Sequence, residues 1–209
     1  MRLDWVPVSA AAFVTGVIAL AFASLLAPQG SGAVETLEIV EQEDGRWLVV
    51  AVIYFIAAIG LTLGLPSVMT LFDLRGRTLG LLSVLVLCMG FLGTAGYSMI
   101  MVFFRALAIT GGINRDALVG ATEESGLVIF LLGWVAAFVL GELLLALALL
   151  RSAAVPRWVP IAMLVHVASV LVSEALPAAV SRASVMLLAV AFAAVAIQAV
   201  ARDTATRRG

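Results

Sequence analysis

Apolar stretches of about 20 residues recur along this chain, and each is long enough to cross roughly 30 Å of hydrocarbon as an α-helix. Six are legible: Val6–Ala27, Trp47–Phe72, Thr78–Ala108, Ser125–Leu150, Trp158–Leu176 and Ala178–Ala201. In lipid the backbone must satisfy its own hydrogen bonds, which leaves helices or a closed barrel, and runs of this length exclude short barrel strands. The expected fold is therefore all-α, a polytopic membrane protein with a six-transmembrane-helix bundle formed by residues 1–209 as a single domain. Composition agrees: 64% of residues are apolar, 12% are charged, and mean hydropathy is +1.19. The third segment is long enough to tilt or project, and Pro66 predicts a kink or early end in the second. Ala21-Phe22-Ala23 imitates a signal-peptide cleavage site. The preceding region has only Arg2 balanced by Asp4, so the first segment is expected to be retained as a span.

The basic residues, all arginine, set an expected orientation. Arg2, Arg75, Arg77, Arg151, Arg157, Arg202, Arg207 and Arg208 fall on one side; Arg46, Arg115 and Arg182 fall on the other, with Arg105 at a helix edge. The expected location is the bacterial cytoplasmic (inner) membrane, multi-pass, with N- and C-termini cytoplasmic. The first outer loop, AVETLEIVEQED at about 33–44, places Val34, Leu37 and Val40 at helical spacing under an acidic face, which predicts a short amphipathic helix on the outer surface. Its carboxylates read as a solvated cap or as a site for a cation or partner, but they lack calcium-loop spacing. In the second outer loop, Glu123 and Glu124 suit the start of the fourth segment.

Ionisable residues within a bilayer are costly and point to a use or a partner. Glu142 lies 8 residues before Leu150 and His166 lies 8 after Trp158, which puts both roughly 12 Å deep on adjacent antiparallel helices. The pair reads either as a hydrogen-bonded clasp or as a proton-handling or ligand site. A second candidate cluster, Arg105, Glu174 and Arg182, falls near the outer interface, as an ion pair closing the last hairpin or as a pocket for an anionic group. The run GFLGTAG, with Gly90, Gly93 and Gly96 beside Tyr97 and Ser98, makes a smooth groove that receives a neighbouring helix or lines a cavity.

No catalytic motif is present: GxSxG, HExxH and paired diphosphate-binding aspartates are all missing. Cys88 is the single cysteine, so no intramolecular disulfide can form, and neither a haem nor a zinc ligand set is recognisable. No cofactor or metal is expected. A net charge of −1 argues against nucleic acid as a partner. The expected partners are the lipid bilayer and either another membrane protein or a second copy of the chain.

Around the fourth and fifth segments, GELLLALALLRSAAVPRWVPIAMLVHV carries Gly141, Arg151, Ser152, Val155, Pro156, Arg157 and Trp158. This pattern resembles the matching region of a bacterial, actinobacterial-type family of small six-helix integral membrane proteins, a domain of unknown function. The resemblance implies a fold and a membrane address, with no catalytic residue or cofactor to carry over. Two function classes follow: a non-enzymatic membrane component (a partner-binding subunit, or a small channel or carrier), which is the favoured reading, and a membrane-embedded enzyme or lipid-processing protein using Glu142 and His166 as acid and base.

Overall fold

The apolar stretches fold as long α-helices in a computed structural model that describes residues 4–28, 30, 32–72, 76–110 and 114–208, with the side chains of 174, 178, 179, 181, 207 and 208 excepted. In chain order the helices are α1 (Trp5–Leu26), α2 (Ala33–Gln42), α3 (Asp44–Met69), α4 (Arg77–Thr110), α5 (Arg115–Thr122), α6 (Ser125–Ser152), α7 (Trp158–Leu171) and α8 (Ala178–Arg208), with a 3-10 turn at Ser173–Ala175. No strand occurs among the described residues. Five of these helices contain stretches long and apolar enough to cross a membrane. Where the sequence predicts a span over Trp158–Leu176, α7 has 14 residues and is about 21 Å long, shorter than the other five. It stops because Val172 leaves helical geometry and the chain tightens into the 3-10 turn instead of continuing to Leu176.

The six longer helices pack as a closed ring in the order α1, α3, α4, α6, α7, α8 and back to α1. Glycine lets the first pair approach closely. A Cβ on Gly16 would lie 2.4 Å from the Leu61 nitrogen, and one on Gly60 would lie 2.8 Å from the Ala12 oxygen. Small residues four apart thus bring the α1 and α3 backbones into contact. Phe13 of α1 stacks on Phe192 of α8 at 5.1 Å, which helps close the ring. Phe91 of α4 meets Phe138 of α6 edge-on at 5.6 Å.

Pro66 lies inside α3, and the helix continues past it to Met69. Proline removes one ladder bond and crowds the turn before it. Ser9 of α1 enters that disturbed turn: its hydroxyl donates to the Leu63 carbonyl at 2.8 Å and accepts the Ser67 N–H at 3.2 Å. A neighbouring helix therefore satisfies backbone groups at the proline, the usual condition for proline inside an apolar bundle.

Hydrogen bonds also fix which helix ends lie together. Ser9, near the start of α1, bonds to the last turns of α3, and Arg202, near the end of α8, donates to the Leu71 carbonyl at 2.7 Å just past α3. Gly76, before α4, lies near the last turns of α6. The start of α1 and the end of α8 thus share one end of the bundle. At the other end, α2 buries Leu37 and Val40 and leaves Val34 exposed. It is tied to α5 by exposed pairs from Arg115 to Glu38 and Glu41 at 3.5 and 3.6 Å. Pairs of that length and exposure contribute little. Trp47 adds a firmer tie, donating its indole N–H to the Met101 carbonyl at 3.0 Å.

Burial is uneven along the ring. In α6 every buried residue lies between Gly141 and Leu149, and none lies in the 16 residues from Ser125 to Leu140. In α8 the first buried residue among those described is Leu188, and α7 buries only residues from Val159 to Val167. The α6–α7–α8 side is therefore tight at the end holding the α6–α7 turn and spread apart towards the end holding α2 and α5.

Candidate functional site

Gly141 sets the depth of the site. A Cβ there would lie 2.7 Å from the Leu87 nitrogen, so α6 sits against α4 at this level and the next residue, Glu142, is enclosed. Glu142 is fully buried and His166 of α7 is 5% exposed. The short turn between α6 and α7, made possible by Ala153 in the left-handed region at φ 50°, returns the chain antiparallel and brings the two to one depth. His166 Nδ1 and Glu142 Oε2 are 2.8 Å apart. The other carboxylate oxygen, Oε1, is buried with no hydrogen-bond partner among the described residues. A buried acceptor left this way is uncommon and asks for an explanation.

His166 also faces open space. A half-open cavity of about 340 Å³ lies on the spread side, with walls from all six longer helices. His166, Phe138, Val139 and Leu188 contribute to it at the level of the buried pair. Gly90, Gly93, Trp134 and Val170 line it further along, and Ser24, Tyr54, Thr94 and Tyr97 bring hydroxyl groups towards its mouth. No Arg, Asp or Glu is among the lining residues. Beyond the mouth lies a larger vestibule of about 1050 Å³ with a more polar wall, including Glu35 and Thr36 of α2 and Ser173 of the 3-10 turn. Tyr54 and Tyr97 line both spaces and meet edge-on at 6.0 Å, so they mark the boundary between them.

The structure brings Glu142 and His166 together as a direct pair. Arg105 of α4 bonds Asp44 at the start of α3, donating to both its backbone carbonyl at 3.0 Å and its carboxylate. Arg182 lies in α8 with its Nε buried and unpartnered among the described residues. Glu174 belongs to the 3-10 turn, and its side chain lies outside the described residues. In the GFLGTAG groove, Gly90 and Gly93 receive Phe138 and Trp134 of α6 and also line the cavity, whereas Gly96 faces open space. Sequence reasoning missed Ser24, Tyr54, Thr94, Trp134 and Phe138 as cavity residues. Their helices are apolar nearly all round, so no amphipathic stripe separates a cavity face from a lipid face.

Five helices long and apolar enough to cross a membrane close into a ring with the short α7, the architecture of a polytopic helical bundle with a half-open cavity. No family model, curated protein or solved structure matches the chain, so the fold and the cavity carry the functional reading.

Proposed function

We propose that the protein is a non-enzymatic membrane component that binds a small lipid-soluble molecule in the half-open cavity, as a carrier or binding subunit. The observation that supports this reading most directly is a cavity of about 340 Å³ walled by all six longer helices and reaching a buried polar pair. That volume lies within the range of roughly 300–1,000 Å³ usual for small-molecule sites, and such sites combine apolar walls with a few placed polar groups. In this reading α7 with the turn after it makes a sixth, short crossing. The end bearing Arg77, Arg151, Arg157 and Arg202 faces the cytoplasm, and the α2–α5 end faces outward. Reporter fusions at the two termini test that orientation: both are expected to report cytoplasm, and opposite reports would reject it.

Native mass spectrometry of gently extracted protein tests the binding reading. The wild-type chain is expected to carry a bound small molecule, and Val139→Trp, which fills the cavity wall, is expected to carry none. Identical empty masses for both would overturn the proposal. A second reading, acid–base catalysis by Glu142 and His166, draws on the unpartnered Glu142 Oε1 beside an imidazole that reaches the cavity. Turnover of the bound molecule that vanishes in Glu142→Gln while binding persists would favour it.

A further inference from the structure

We propose that the cavity selects a lipid-soluble molecule bearing a hydroxylated aromatic ring, a phenol by chemical class, seated with its hydroxyl against His166. This rests on the reading of the cavity as a binding site and names what it recognises. The hydrogen bond at 2.8 Å occupies Nδ1 of His166 with Glu142 Oε2, so Nε2 is the ring nitrogen left for the cavity. With Nδ1 engaged, Nε2 presents a lone pair or an N–H according to where the pair's protons sit, and a hydroxyl, which both donates and accepts, partners either. Either state of the pair therefore recognises a hydroxyl.

The rest of the wall narrows the class. A carboxylate or phosphate head would be buried without an arginine, since none lines the cavity, and an unpaired buried charge is strongly unfavourable. Glu142 has no exposed surface and does not line the cavity, so an ammonium head would not reach it. Trp134 and Phe138, both on α6, put aromatic side chains on one wall for a flat ring. Aromatic contacts of this kind favour a ring over a flexible chain of equal volume.

The test uses the full chain in lipid nanodiscs, with empty nanodiscs to subtract partitioning and intrinsic tryptophan fluorescence as the readout, checked against Trp134→Phe. The probes are 4-hexylphenol, hexylbenzene and 1-decanol. The wild type is expected to prefer 4-hexylphenol over hexylbenzene by about tenfold, the size of one net hydrogen bond. It is also expected to prefer the phenol over the alcohol. His166→Phe is expected to bind the phenol and hexylbenzene equally, and the Tyr54→Phe/Tyr97→Phe double variant is expected to keep the wild-type preference. Equal binding of phenol and hexylbenzene to the wild type, or loss of the preference in the double tyrosine variant, overturns recognition by His166. Equal binding of decanol and phenol overturns the requirement for a ring. In each of those results the cavity still binds, so the broader reading survives. Binding of no probe above partitioning, or undiminished binding to Val139→Trp, overturns the broader reading and this one together. Should His166→Phe fail to fold, the wild-type, double-tyrosine and Val139→Trp measurements decide the matter.

Discussion

Two carboxylates show how differently one group behaves at two depths. Glu142 is fully buried, paired on one oxygen and unpartnered on the other. Removing one member of a buried pair strands its partner and forgoes its packing, at a cost of about 3–5 kcal/mol. Glu142→Ala is therefore expected to lower thermal stability in detergent markedly. Glu142→Gln, whose amide can still hydrogen-bond Nδ1 as acceptor or donor, is expected to lower it less; unchanged stability in Glu142→Ala would show that the pair does not hold α6 to α7. Glu124 is the opposite case. It lies just outside the α6 span as its N-cap, and backbone N–H groups of Gly126 and Leu127 hold its carboxyl below the usual range. Because the folded value is lowered, ionised Glu124 stabilises the start of α6 above the ordinary carboxylate range, and that contribution fades as pH falls through the lowered value. Melting temperatures of wild type and Glu124→Gln measured against pH are expected to differ near neutrality and to converge in acid.

Among the helices, contact between backbones does much of the positioning. On the α1–α3 face the glycines leave no room, so Gly60→Val is expected to separate the two helices and lower the melting temperature by several degrees. Gly96 has no neighbour within 4 Å of a Cβ, so Gly96→Ala is expected to be neutral or slightly stabilising. A comparison of the two by thermal unfolding separates close packing from mere glycine content. The sequence located most helices well: Val6–Ala27 was expected where α1 runs Trp5–Leu26, and Ser125–Leu150 where α6 runs Ser125–Ser152. It overextended the fifth segment, because Val172 and Leu176 are as apolar as the helix before them and hydropathy does not register a change of backbone geometry. Matching depth identified Glu142 and His166, since rise per residue is fixed. The cavity wall was not legible, because it depends on the rotation of each helix, and uniformly apolar helices carry little rotational information.

At the scale of the whole molecule, the ring combines a tight end, where α1 starts and α8 ends, with a spread end under α2 and α5. Native-state amide exchange is expected to follow this gradient, with slow exchange in α7 from Val159 to Val167 and faster exchange in the first four turns of α6. Uniform protection along α6 would contradict it. In the proposed orientation, the spread end bears on communication across the membrane. On the proposed reading, a guest entering there would displace side chains that have few packed neighbours, while Ser9, Ser67 and Arg202 stay hydrogen-bonded at the far end. Occupancy would be absorbed locally and would leave the tails unmoved, as suits a container or ferry and ill suits a receptor that must announce its cargo on the opposite face.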